Sequence, residues 1–308
     1  MGFWFTLGGL SHYLGGPWWL GFLCFLLAGI LPIVLQTVSI EEDDTEYEIT
    51  NRERAVYVLS VLSWSVTPWG VLTQILQLGG QLVAYARYRG GKPSPEIHTP
   101  ETALNLPFDG EWTVVNGGIT KDTSHSWEIL SQRYAYDFVI TDEDGNTHTD
   151  NGEELDDYYA FGKPIRAPAD GTVVAVSDRR RDFPHPESAR IEWRTWDIAG
   201  NHVTIEHEAG EFSFLAHLKA GSTTVSEDDS VTTGDVIGQC GNSGHSTEPH
   251  LHYQLQDTKN FWTAAGLVPR FIDVDIDRDD EKAVSYEPTH DSNEGVYLFA
   301  SDRVGATK

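Results

Sequence analysis

The chain has 308 residues with 47 acidic and 21 basic side chains, a net charge of −26. That length allows more than one domain and an ample core, and a pI near 4.6 excludes ordinary nucleic-acid binding, which needs clustered Lys and Arg to neutralise phosphates. Only seven of the basic residues are Lys, and an acidic, Lys-poor surface is the composition of a halophile, because high salt screens the self-repulsion. Cys24 and Cys240 lie in unrelated settings, an apolar run and a Gly-rich segment, so neither a disulfide nor a thiolate metal site is expected.

In chain order, residues 1–92 read as a membrane anchor with two transmembrane helices. Residues 15–40, GGPWWLGFLCFLLAGILPIVLQTVSI, carry no charge and exceed the roughly 20 apolar residues that cross a bilayer. Trp18 and Trp19 stand near one end, where indoles favour the headgroup interface. A second uncharged run, 55–86, is interrupted by Pro68, Gln74, Gln77 and Gln81 and predicts a kinked span. A cleaved signal is not predicted, because the start lacks a basic segment. The lipid bilayer is therefore an expected partner. Arg52 and Arg54 lie in the acidic link, against Arg87, Arg89 and Lys92 after the second run, so positive-inside counting weakly places the soluble domain inside.

The stretch RYRGGKPSPE reads as a linker leading into a soluble domain, 93–278, with a motif core at 108–258. Short β-rich runs (YAYDFVI, TVVAV, HVTIEH, FSFLAHL, DVIGQC, HLHYQL) alternate with Gly, Pro, Asn and Asp. No long amphipathic helix interrupts them, which predicts an all-β fold, a compact sandwich or barrel. Two polar insertions, TDEDGNTHTDNGEELDDYY and SDRRRDFPHPESARIEWRTWD, read as surface loops that wall a cleft. Residues 279–308 read as an acidic, flexible tail apart from the run VYLFA.

The chemistry concentrates in the strand runs. In PHLHYQL, His250 and His252 are two apart, so on a strand both imidazoles share one face while Leu251, Tyr253 and Leu255 take the other. His217 ends the alternating run FSFLAHL, a place for a base or an electrostatic stabiliser. Asp137 is the sole charge in YAYDFVI, and a buried carboxylate must be paired, hydrogen-bonded or bound to a metal. His202 and His207 read as sheet-surface or supporting residues.

Taken in order, YAYDF, GKPIRAPADGTVVAV, GNHVTIEH, FLAHLKAGS and GDVIGQCGNSGHSTEPHLHYQL resemble the M23 metallopeptidases, the lysostaphin or LytM-type family. The resemblance implies a compact β fold with a groove, a Zn²⁺ bound by His, Asp and His, and hydrolysis of cell-wall or envelope peptides by a zinc-activated water. It makes Asp137 and His252 metal ligands, and His217 and His250 the catalytic pair beside the water. It also implies an extracytoplasmic domain, against the charge count above, and a peptide or glycopeptide substrate. The family's first ligand, a His four residues before the Asp, is here Arg133. On a strand, Arg133, Ala135 and Asp137 share a face, and a guanidinium cannot ligate a cation. Two outcomes follow. Either Arg133 turns away and His125 of the preceding loop is the third ligand, or Asp137 pairs with Arg133 and the domain is a degenerate, non-catalytic one that binds peptides or regulates a partner. Retention of His217, Asp137, His250 and His252 together favours the active peptidase. A resemblance of GDVIGQCGNSG to barrel-sandwich carrier domains lacks the modifiable Lys such domains need.

Overall fold

The computed structural model describes residues 51–89, 91–95, 97–121, 123–124, 126–278 and 295–307. The first expected span, 15–40, and the candidate ligand His125 lie outside the described residues.

Two helices come first, α1 (Asn51–Ser65) and α2 (Pro68–Arg87). Twelve strands follow: β1 (Glu111–Asn116), β2 (Tyr136–Val139), β3 (Pro164–Arg166), β4 (Gly171–Ser177), β5 (Asn201–Glu206), β6 (Phe212–Leu218), β7 (Ser230–Val231), β8 (Val236–Gln239), β9 (Leu251–Gln256), β10 (Gly266–Leu267), β11 (Val274–Asp277) and β12 (Arg303–Ala306). Ten of them form one sheet in the order β11-β12-β1-β2-β9-β6-β5-β4-β7, with β10 on β9, while β3 and β8 pair separately. Every pairing between these strands is antiparallel. The mostly β fold expected from the short alternating runs is present. It is an open sheet faced by a two-stranded ribbon, not a closed barrel.

The period-2 alternation of β5, β6 and β9 sends Val203, Ile205, Leu215, Leu251, Tyr253 and Leu255 to one face. There they join Trp112, Tyr136, Phe138, Phe271 and the ribbon's Ile165 and Ile237 in the main core. The opposite face of β6 and β9 carries Phe214, Ala216, His252, Gln254 and Gln256, all buried. A smaller apolar group, Ala199, Phe214, Ala216 and Phe261, packs on that side.

The run 55–86 carries the kink expected at Pro68: it is broken at Val66 and Thr67, no single described helix is long and apolar enough to cross a membrane, and the pair passes such a test only together, bent by 88°. Pro68 cannot donate to the preceding turn, and Thr67 caps the new helix by accepting from the Gly70 amide. One expectation is corrected: the tail, expected to be flexible apart from VYLFA, also contains β12, which pairs with both β1 and β11. Within VYLFA, Leu298 is fully buried, as is Val304 of β12, and the Leu298 carbonyl accepts from the Tyr136 hydroxyl.

The GNSG turn enters the fold through two glycines. Gly200 and Gly244 both have left-handed backbones (φ +65° and +81°), and a Cβ on Gly244 would lie 2.5 Å from the Gly200 nitrogen. Gly244→Ala is expected to cost about 2 kcal/mol or more, from strain and clash together, read as a lower urea midpoint; an unchanged midpoint would show that the contact relaxes freely.

Candidate active site

Strand register builds the centre. Asp137 of β2 lies directly across from His252 of β9, and Asn116 of β1 lies across from Asp137. His252 Nδ1 donates to Asp137 Oδ1 at 2.9 Å, and Asn116 Nδ2 donates to Oδ2 at 3.3 Å. His250 Nε2 stands 3.7 Å from the same Oδ1. Asp137 and His252 are each only 6% exposed.

His217 reaches this face by a route that alternation does not provide. Ala216 pairs with His252 and so shares its face, which would send His217 into the core. The His217 backbone is instead left-handed, φ 60°, a conformation costing an L residue roughly 1–2 kcal/mol. Its ring consequently lies 4.7 Å from that of His250 and 5.8 Å from that of His252.

Backbone carbonyls set the tautomers of both flanking histidines. His217 Nδ1 donates to the Ser243 carbonyl at 2.7 Å, and His250 Nδ1 donates to the Glu248 carbonyl at 2.9 Å. Each Nε2 is thereby left to act toward the Asp137 side. Burial first, then the neighbouring His250 and His252, hold the His217 imidazole well below the usual range, so it is neutral and able to accept a proton. For His252, burial pulls downward, but the hydrogen bond and charge of Asp137, with help from Gln254, outweigh it and raise the pKa.

Gln254 is a site residue that sequence reasoning missed. Its Oε1 accepts from His252 Nε2 at 3.0 Å, its amide donates to Gln256 Oε1, and Gln256 donates to the Thr258 carbonyl. Such a relay fixes the ring and leaves Nδ1 as the atom facing Asp137, the way outer partners orient metal-ligating histidines. The signal was available: HLHYQLQ places His250, His252, Gln254 and Gln256 on one strand face.

Arg133 does not point into the centre. Strand β2 begins only at Tyr136, so the three-residue face shared by Arg133, Ala135 and Asp137 does not exist. The Arg133 guanidinium lies over the Trp127 ring, 4.8 Å from its centroid, and Nε donates to the Trp127 carbonyl. The pairing of Arg133 with Asp137 required by a degenerate site is not what the residue makes. His202 packs against Phe214, and His207 bonds the Asp170 carbonyl and the Ser213 hydroxyl, so both serve the sheet.

Among the described residues, no group of three His, Cys, Asp or Glu side chains is arranged to hold a metal ion. The donor pair Asp137 and His252 does suit a borderline cation such as zinc, one carboxylate oxygen facing one imidazole nitrogen. The third donor called from sequence is His125.

Three histidines outside the centre make the fold acid-sensitive. Burial holds His202 and His207 below the usual imidazole range and takes His245 down to about 3. Below about pH 6.5 the unfolded chain binds protons that the folded chain does not, costing about 1.4 kcal/mol per group and pH unit. Their contribution is complete above that pH and is lost as pH falls toward the folded-state values. The urea midpoint is expected to be lower at pH 5 than at pH 7.5; an equal or higher midpoint at pH 5 would contradict this burial.

Comparison with known proteins places the domain. Residues 153–262 match the family model Peptidase family M23. The DD-carboxypeptidase/endopeptidase Mpg of Neisseria meningitidis serogroup B is 37% identical over 101 residues, 32% of this chain and 19% of that protein. The peptidoglycan DD-endopeptidase ShyA of Vibrio cholerae serotype O1 is 33% identical over 89 residues, 29% of this chain and 20% of that protein. The matches thus span at most 20% of these relatives' own lengths. A crystal structure described as a putative peptidase M23 from Pseudomonas aeruginosa aligns at 19% identity, covering 61% of each chain with a TM-score of 0.32.

Proposed function

We propose that the chain is a membrane-anchored zinc metalloendopeptidase that hydrolyses peptide bonds in cell-wall or envelope peptides. The observation that carries this reading is the convergence of His217 and His250, each with Nδ1 tied to a backbone carbonyl, on the buried Asp137–His252 pair. Relatives named as endopeptidases acting on peptidoglycan support the substrate class. The uncharged run 15–40 supports the anchor, and family analogy alone supports an extracytoplasmic domain.

Zinc, held by Asp137 and His252 with His125 proposed as the third donor, would supply Lewis acidity toward the scissile carbonyl and lower the pKa of the attacking water. His217, kept neutral by burial, would take the proton of the attacking water on Nε2 and return it to the departing amine. His250, oriented by the Glu248 carbonyl at Nδ1, would face the developing oxyanion through Nε2, donating there as the imidazolium. Asn116 and Gln254 hold the carboxylate and the imidazole still. The 177–197 insertion, tied within itself by the Arg181–Glu192 ion pair, is read as a wall of the substrate groove.

The test incubates the full chain with cross-linked wall peptides and with Gly-containing peptides, and reads new amino termini by mass spectrometry. Cleavage abolished by a chelator and restored by zinc is expected. A zinc-loaded chain that binds these peptides and never cuts them would replace this reading with the non-catalytic one.

A further inference from the structure

The bent helix pair is covered on one side only. Thr73 donates to the Trp196 carbonyl, the Gly80 backbone touches that of Trp262, and Ala84 packs on Leu130 and Ala265. Trp64 donates to the Thr195 carbonyl and sets its ring edge-on to His245 at 4.2 Å, while the Ser60 hydroxyl accepts from the Ile191 amide. The pair therefore lies along the loops that flank the candidate active site. On a helix of 3.6 residues per turn, Gly70, Thr73, Gly80 and Ala84 fall on one side of α2, and Ile75 and Leu82 on the other; Trp69 is exposed at the first turn, beside the bend.

The uncovered surface of the pair, the outer side of α2 together with the bend, is apolar and open. Leu59 is 62% exposed, Val66 64%, Trp69 47%, Ile75 52% and Leu82 63%. Trp193, on the loop whose Ile191, Thr195 and Trp196 bond the helices, is 56% exposed and carries Arg194 over its ring. Residues 55–86 hold no Asp, Glu, Lys or Arg in a chain of net charge −26. Single exposed apolar residues are ordinary, but a charge-free face of this extent marks an interaction surface. An apolar ridge bordered by Trp and Arg suits the bilayer interface, where indoles and snorkelling cations sit at headgroup level.

We propose that the outer face of the α1–α2 elbow docks flat on a lipid bilayer surface, lying in the interface instead of spanning it. The chain outside the described residues favours this occupant. The uncharged run 15–40 ends ten residues before Asn51, and ten extended residues reach at most about 35 Å. Docking draws on the proposed anchoring for proximity, but its own contact is with lipid. The strongly acidic chain makes that contact hydrophobic in origin, so it persists in high salt, where ionic attachment fails. It holds the candidate active site beside the membrane, which restricts substrate to peptides close to the bilayer.

The test reconstitutes the full chain into phosphatidylcholine–phosphatidylglycerol vesicles containing lipids brominated either near the headgroup or near the chain ends. An environment-sensitive fluorophore is attached at Leu59→Cys, Ile75→Cys or Leu82→Cys in a Cys24→Ser background, Cys240 being fully buried. A label at exposed Glu227→Cys is the water control. A separate sample labelled at native Cys24 reads the anchor by itself. Blue-shifted emission at all three elbow positions, lost with headgroup-proximal bromine and kept with chain-end bromine, is the expected result. Strong quenching of any elbow label by chain-end bromine would mean a span. Elbow labels that behave like Glu227→Cys, or that are shielded without lipid quenching in a chain that crosslinks to a second copy, would also overturn docking. Deep quenching at Cys24 beside aqueous elbow labels would reject docking and leave the anchor standing; an aqueous Cys24 would reject the anchor.

Discussion

Asp137→Asn is expected to remove zinc and abolish peptide cleavage while leaving the chain folded. The substituted amide keeps the volume and a hydrogen-bonding oxygen beside Asn116 and His252, but it removes the one anion that the buried cluster offers a cation. The Lewis-acid contribution to the barrier is several kcal/mol, so cleavage should fall by about a thousandfold or more, at 1.4 kcal/mol per tenfold. Elemental analysis, a peptide-cleavage rate and circular dichroism check the three parts. A folded Asp137→Asn chain with full zinc and full rate would mean that the carboxylate only neutralises His252.

Removing a flanking histidine has a different signature. His217→Asn and His250→Ala are each expected to lower kcat about 10²–10⁴-fold, the usual range for a positioned acid or base, with zinc content and KM little changed. Asn is the informative replacement at residue 217, because it tolerates the left-handed backbone there better than Ala does. The double variant should lose much less than the product of the two single losses, since the pair acts on one reaction coordinate. Loss of zinc in either single variant would instead make that histidine a ligand.

Much of this centre was legible because it rests on strand register. The spacing His250-x-His252 and the lone charge of YAYDFVI mark two adjacent strands, and β2 pairs with β9 so that Asp137 meets His252. What alternation could not convey was a backbone that breaks it. His217 belongs by count to the core face, and only its positive φ turns the ring outward to the centre. Arg133 takes the first of the two outcomes, turning away, because β2 starts only at Tyr136 and its partner Trp127 lies in the turn segment before it. Gln254 went unremarked because a buried amide carries no charge to draw notice. The acidic average around residue 279 hid β12, whose sequence RVGA is too short for a periodic signal. In the run 55–86, Pro68 marked the place of the bend, while hydropathy alone does not register its 88° size.

The most direct test of the central claim is the zinc content of the full chain, purified in detergent and high salt, beside that of His252→Ala and His125→Ala. The account predicts about one zinc per parent chain, as a single open site of three protein ligands requires, and its loss in both variants. A parent chain that takes up no zinc after reconstitution would contradict the account and leave a peptide-binding domain in place of a peptidase.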